Sequence, residues 1–255
     1  EVCYSGSLKK FSECKEVCDP KFQYDSSNCT GDKVLTGNSC GGKYEKCIEP
    51  LQYLYSDRTL SAEIIPGKSV IGIAVDPENR LAVAIDYIMT TGWGGYGIDI
   101  PTLENTPSSG AGIYVRGERD SYLIRDGKAN TAKILAYGRS NGISYPAAEA
   151  AYNYQPGSCS SSSWCGRGNW YLPSNWQVFP YFDNRATIHL MLKAINKMPD
   201  DWWYTRNDFY TVTSNEINAK ESGFIYINTG GMAHGGKNLT EPDNLQTLVL
   251  PYITY

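Results

Sequence analysis

Two stretches of the chain, residues 68–74 and 80–87, are filled mostly by aliphatic and β-branched side chains. Between them lie Asp76, Pro77, Glu78 and Asn79, which are residue types that favour tight turns. Apolar runs of this length on either side of a turn are typical of paired β-strands. The pattern therefore predicts a β-hairpin in this part of the chain.

Three later segments have the spacing or the end signals of helices. Residues 146–154 are rich in alanine and are followed by Pro156 and Gly157. Ser174 and Gln177 have the spacing of a capping box, in which two side chains bond the free amides at a helix start. Thr187 precedes a face with helical spacing, formed by Ile188, Met191, Leu192 and Ile195. Residues after 201 have strand and loop patterns, including a terminal strand over 248–252, so the chain is predicted to be α+β.

Composition and charge narrow the class of protein. The 255 residues carry a net charge of −4, and a nucleic-acid-binding surface would need clustered Lys and Arg, so no nucleic acid partner is expected. The longest apolar run, residues 70–75, is too short to span a bilayer, so no transmembrane segment is expected in this chain. Residues 1–50 are polar and poor in aliphatic side chains, whereas residues 51–255 are long enough to bury a full core. We therefore predict a small disulfide-stapled module or stalk over 1–50 and one larger domain over 51–255.

Eight cysteines, an even number, favour disulfide bonds and an oxidising compartment. Zinc is the competing explanation for the first six, but this region has neither the C-x2-C pairs nor the histidines that are typical of zinc sites. The last two bracket a run of serines and could close a small loop. All eight are expected in disulfides, with the pairing of the first six open: Cys3, Cys14, Cys18, Cys29, Cys40, Cys47, Cys159 and Cys165.

Motifs for nucleotide binding or catalysis are incomplete. Gly231, Gly236 and Lys237 match a phosphate-binding loop, but Asn238 stands where that loop needs Ser or Thr. We predict that this segment is a glycine-rich connection between strands. The chain has only two histidines, and neither adjoins a recognisable nucleophile or metal motif. We therefore expect a binding protein and not an enzyme, with no cofactor, no metal ion and no catalytic residue.

A series of short motifs runs in order through residues 126–255. It begins with Asp126-Gly127 and Asn130-Thr131 and passes the alanine-rich segment to the Asn-Trp-Tyr-Leu-Pro-Ser of residues 169–174. Residues 209–216, 223–228 and 248–252 complete it. The series resembles the C-type-lectin-like domain that ends bacterial collagen-like adhesins, which is similar to the variable proteins of diversity-generating retroelements. The resemblance implies twisted antiparallel sheets with two to three helices, and first and last strands that pair.

The same resemblance implies a binding surface between the strand over 209–216 and the closing strand. Carried over to this chain, it implicates Asn215, Asn218, Lys220, Tyr226, Asn228, Met232, His234, Lys237 and Asn238. The implied function is extracellular or cell-surface recognition of a host or bacterial surface protein or glycan, as in an adhesin or a pilus-associated head. The alternatives are a structural pilin-like subunit that packs against its neighbours, with self-association into a homo-oligomer left open, and an oxidoreductase or hydrolase on the same fold.

Overall fold

The structure is a computed structural model, and it describes residues 51–105, 126–197, 210–226, 232–238 and 247–255. In the cysteine-rich segment it describes only the backbone of two short strands, β1 (Val34–Leu35) and β2 (Cys47–Ile48), which pair antiparallel. The predicted disulfides of the first six cysteines lie outside the described residues.

The first of the two large sheets contains the predicted hairpin. Its strands follow the order β12-β6-β5-β3-β4 and are all antiparallel. They are β3 (Gln52–Tyr55), β4 (Leu60–Ser61), β5 (Val70–Asp76), β6 (Leu81–Ala84) and β12 (Tyr252–Thr254). The hairpin prediction is confirmed, because β5 pairs with β6 across the predicted turn. The last strand pairs with β6, and β5 and β6 separate it from β3, so this pairing differs from the first-to-last pairing that the resemblance implied.

The second large sheet has the order β10-β9-β8-β11-β7. Its strands are β7 (Ile88–Thr90), β8 (Tyr210–Glu216), β9 (Glu221–Tyr226), β10 (Met232–Gly236) and β11 (Thr247–Val249). The β11–β8 pair is parallel, and the other pairs are antiparallel. The predicted glycine-rich connection is therefore wrong over most of its length, because residues 232–236 pair with the whole of residues 221–225. Pairing along a complete neighbouring strand outweighs the low strand propensity of glycine.

The predicted terminal strand over 248–252 is divided between the two sheets. β11 ends at Val249, β12 begins at Tyr252, and the two strands belong to different sheets. Pro251 lies between them and has no backbone N–H to donate to a ladder. The closing segment thus links the two sheets instead of extending one.

Four helices occur within the described residues: α1 (Gly127–Asn141), α2 (Pro146–Asn153), α3 (Asn175–Asp183) and α4 (Arg185–Ala194). The predictions of α2 and α3 are confirmed. Helix α4 begins at Arg185, so Thr187 lies inside its first turn and does not cap it. Helix α1 was not predicted, because few apolar residues mark its buried face and its start depends on the Asp126 side chain, which accepts from the Ala129 N–H at 2.9 Å. The described chain is therefore α+β, with two sheets rich in antiparallel pairs.

Three apolar cores lie against these sheets. The smallest contains Leu54, Ile71 and Trp170 together with the Cys159–Cys165 disulfide. The other two are larger. One joins the first sheet to α3 and α4, with Ile73, Val83, Val178 and Phe182 among its members, and it also includes Ile225 of the second sheet. The other joins the second sheet to α1 and α2, through side chains such as Ile134, Ala147, Tyr210, Val212 and Phe224. Strand β9 therefore contributes to a different core from each of its two faces, as the alternation of side chains in a strand requires.

A buried network of polar side chains, here called the polar hub, lies where α1, α3 and β8 meet. Its members are Asn130, Thr131, Asn175, Gln177, Thr213, Ser214 and Asn215, all at most 9% exposed. On one face of β8, Asn215 Oδ1 accepts from the Asn175 N–H at 2.8 Å, and the Thr213 hydroxyl lies 2.5 Å from Asn175 Oδ1. On the other face, Asn130 donates to Ser214 Oγ at 3.2 Å. The hub thus connects one strand to helices on both of its sides.

The segment before α3 completes this network. Thr131 Oγ1 accepts from the Leu172 N–H at 3.0 Å, and the Ser214 N–H donates to Pro173 O at 2.7 Å. Gln177 Oε1 accepts from the N–H groups of both Ser174 and Gly127, at 3.0 and 3.1 Å. Three stretches of the motif series, residues 126–131, 169–174 and 209–216, are far apart in the chain and meet in the interior of the fold.

We expect Gly127→Ala to destabilise the protein strongly, because a Cβ at Gly127 would stand 2.4–2.6 Å from Gln177 Oε1, Leu172 O and Ser174 N. Overpacking of this kind costs about 1–3 kcal/mol. The matched control is Gly157→Ala, where a Cβ would meet no heavy atom within 4 Å and φ is not positive, and its cost should stay below about 0.5 kcal/mol. Urea unfolding of both variants measures the difference, and equal midpoints would contradict the role given to the hub.

Candidate functional site

The residues that sequence analysis implicated in binding occupy different environments. Asn215 and Lys237 are fully buried, Asn218 and His234 are half-buried, and Lys220 and Asn238 are exposed. Tyr226 is half-buried, and its ring packs edge-on against Phe224 with centroids 5.4 Å apart. Met232 begins β10, and Asn228 lies outside the described residues.

Asn215 belongs to the interior. Its Oδ1 receives the first amide of α3, and none of its side chain is accessible to solvent. The expectation that this asparagine lies at the surface is therefore wrong. The physical reason is that the start of a buried helix needs an acceptor for its free N–H groups, and an asparagine side chain supplies one.

Lys237 is also buried, against Glu216 and a loop. Its ammonium group contacts Glu216 Oε1 and donates to Ile98 O at 2.6 Å. It also lies 4.9 Å from the centroid of the Trp93 ring, within the range of a cation–π contact. Glu216 Oε2 in turn accepts from the Ile100 N–H at 3.1 Å. A buried charged group is stable only with such hydrogen-bonding and charged partners. The Lys237 side chain is therefore used for contacts inside the protein.

Burial sets the ionisation behaviour of this cluster. It raises the pKa of Glu216 and lowers the pKa of Lys237, while the hydrogen bond and charge of each partner act in the opposite direction. Burial, aided by the charge of Glu216, also raises the pKa of Tyr145 to about 12. The Tyr145 ring meets Trp93 edge-on with centroids 5.5 Å apart, so Trp93 contacts both the Lys237 ammonium group and Tyr145.

The residues around Trp93 form a glycine-rich loop, residues 92–100, whose backbone is fastened to the second sheet. The N–H groups of Trp93 and Gly94 both donate to Lys237 O at 3.0 Å. The Gly97 N–H donates to Ala219 O at 2.8 Å. Gly95 has φ of 64°, and a Cβ there would lie 2.4 Å from the Tyr145 ring, so glycine is required for this close approach.

This loop and the adjoining hairpin present a set of surface residues that we call the hairpin-end patch. It consists of Tyr96 of the loop, Asn218, Lys220 and Glu221 at the turn between β8 and β9, His234 of β10, and Asn238, two residues after the end of β10. Tyr96 is 50% exposed. The hydrogen bond from Gly97 to Ala219 places Tyr96 beside the turn. Four of the nine implicated residues are thus brought to one end of the second sheet.

Asn218 and Glu221 order the polar part of the patch. Asn218 Oδ1 accepts from the N–H groups of Lys220 and Glu221 at 2.8 and 3.0 Å, and its amide donates to Glu221 Oε2 at 2.6 Å. The other carboxylate oxygen of Glu221 lies 3.2 Å from His234 Nδ1. These side chains are therefore held in position by one another.

Sequence analysis missed Tyr96, Glu216 and Glu221. The glycines around Tyr96 indicate a loop, but nothing local in the sequence shows that this loop reaches residue 219. Glu216 and Glu221 lie within strand patterns that carry no functional motif. The one available signal was a charged residue at a strand position that faces the core. Glu216 is such a residue, because it lies on the same side of β8 as the buried Val212.

Within the described part of the chain, no three His, Cys, Asp or Glu side chains come together as potential metal ligands. The same residues include no helix with the length and apolar character needed to cross a membrane. The predicted loop-closing disulfide is confirmed between Cys159 and Cys165, whose Cα atoms are 5.6 Å apart.

Comparison with known proteins gives one informative result. No known family model matches the chain. No curated protein is similar to it in sequence. Among solved structures, the fold is similar to a fimbrial protein from Bacteroides ovatus, with a TM-score of 0.52 and 12% identity, over 80% of this chain and 48% of that protein. The chain thus spans about half the length of its structural relative, and at this identity the likeness concerns the fold alone.

We expect Lys237→Met to cost about 3–5 kcal/mol, because it leaves the Glu216 carboxylate buried without its cation. Lys68→Met is the matched control, since Lys68 pairs with Asp57 at 2.6 Å on the surface, and it should cost less than about 1 kcal/mol.

The double variant Lys237→Met/Glu216→Gln separates charge from packing. Gln keeps an acceptor for the Ile100 N–H and removes the unpaired charge, so about 1 kcal/mol or more of the loss should be recovered. Denaturant unfolding measures all three variants. A loss for Lys237→Met no larger than that for Lys68→Met would show that the buried pair is not important for stability.

Proposed function

We propose that this chain is a structural, pilin-like subunit of a cell-surface fimbria. The observation that carries the proposal is the similarity of its fold to a fimbrial protein over 80% of its residues. The Cys159–Cys165 disulfide suits a protein exported to an oxidising environment. The assignment to the cell surface belongs to the same proposal.

The proposal is tested on cells that produce the chain. Fibres sheared from these cells should contain it, and immunogold labelling should find it repeated along their length. Tyr96→Ala should assemble like the parent, because Tyr96 is exposed and is not a member of the apolar cores that hold the subunit together. Gly127→Ala, in which folding is impaired, should fail to assemble. Recovery of the parent chain only as a free secreted protein would contradict a subunit role.

A second candidate is recognition, as in an adhesin with a C-type-lectin-like domain. Two features support this candidate. Three stretches of the motif series meet in one buried hub, and four implicated residues lie at the same end of the second sheet as Tyr96. Label at the fibre tip alone, instead of along its length, would favour this candidate over a structural subunit.

Recognition is measured by adhesion of protein-coated beads to host and bacterial cells. The triple variant Asn218→Ala/Lys220→Ala/His234→Ala should lose adhesion while its thermal midpoint stays within a few degrees of the parent. The control Lys68→Ala/Arg139→Ala removes two charged side chains elsewhere on the surface and should adhere normally. Adhesion by the triple variant at the parent level would exclude the patch as the recognition surface.

A further inference from the structure

We propose that the hairpin-end patch binds neutral carbohydrate, with the Tyr96 ring as the platform on which a sugar ring stacks. This inference rests on the recognition role proposed above and gives it a ligand class. It depends on three properties of the patch: an exposed aromatic ring, an ordered set of polar groups, and balanced charge.

The first property is the exposed ring. Half of the surface of Tyr96 is accessible, although its neighbours Trp93 and Ile100 are buried. The backbone of the glycine-rich loop is bonded to Lys237 O and Ala219 O on both sides of Tyr96, so the backbone that carries the ring is held in place. An aromatic face carries partial negative charge and attracts the weakly positive C–H groups of a sugar. A tyrosine side chain has only two rotatable bonds, so its immobilisation against a sugar costs little conformational entropy.

The second property is the ordered set of donors and acceptors at the turn that the loop contacts. Asn218 offers an amide, Glu221 a carboxylate and His234 an imidazole, and each contacts its neighbour within the patch. Sugar hydroxyls both donate and accept, and such planar groups match pairs of them. Exposed Lys220 and Asn238 add further donors at the border.

The third property is the balance of charge. Lys220 and Glu221 offset each other, and His234 faces the Glu221 carboxylate. Exposed Asp99 of the same loop adds a negative charge. A sulfated or otherwise polyanionic glycan would need a positive surface, which this patch does not offer.

A protein partner fits this patch less well. The centre of a protein–protein interface is usually a desolvated group of several apolar and aromatic side chains. The hairpin-end patch contains one exposed tyrosine ring, and its other members are charged, imidazole and amide groups. Its composition therefore favours a polyhydroxylated ligand.

The test is an array of neutral oligosaccharides built from glucose, galactose, mannose, fucose and N-acetylhexosamines, with heparan and chondroitin sulfate as a separate arm. We expect the parent chain to bind at least one neutral oligosaccharide. Affinity should fall about fivefold in Tyr96→Ala, the loss of one stacking contact, and binding should disappear in Asn218→Ala/His234→Ala. Tyr152→Ala, which removes an exposed tyrosine from α2, is the matched control and should bind like the parent.

Several results would overturn the proposal. These are absence of binding to every neutral oligosaccharide, binding restricted to the sulfated arm, and equal binding by the parent and Tyr96→Ala. Cell adhesion that depends on the patch without any binding on the array would retain recognition and reject carbohydrate as its ligand. Fimbrial assembly is measured separately, so its failure leaves the array result interpretable.

Discussion

The hydrogen bonds around β8 are the constraint on which the second sheet depends. Thr213 and Asn215 meet the start of α3 on one face, and Ser214 meets α1 on the other. A one-residue shift of the strand would exchange its faces and leave these buried groups unpaired, at about 1–3 kcal/mol each. One register therefore satisfies both helices. Because β8 is the middle strand of its sheet, its register also positions its neighbours β9 and β11, and through them the edge strands β10 and β7.

The same alternation explains why the ion pair lies where it does. Glu216 follows Asn215, so its side chain points to the opposite face from the α3 contacts, toward the core that contains Trp93 and Tyr145. There it meets Lys237, and the pair together with Lys237 O binds the glycine-rich loop at four points. The hub fixes the register of β8, and this register places Glu216 where it can hold the loop through Lys237. The position of Tyr96 at the surface thus depends on the hub.

The sequence predicted those elements whose signals are local. The β5–β6 hairpin has its turn residues between two apolar runs, and α3 has its capping residues within four positions. Strand β10 was missed because its pairing with β9 depends on a neighbour and not on its own glycines. The burial of Asn215 and Lys237 was missed for a similar reason. A polar residue indicates surface unless its partner is known, and these partners lie 40 and 21 residues away along the chain.

The motifs that resemble an adhesin domain are largely interior contacts, and this limits what they say about a ligand. Asn130, Thr131 and the 213–215 segment hold the fold together, whereas Asn218, Lys220 and Asn238 make few of its buried contacts. Substitutions at exposed positions usually change stability by less than about 0.5 kcal/mol, so the patch can vary while the hub stays the same. A fimbrial subunit with this fold could therefore gain or lose recognition by changes confined to the hairpin end. For this reason, fold similarity supports the proposed subunit role, whereas the proposed recognition role depends on the patch residues and not on the fold.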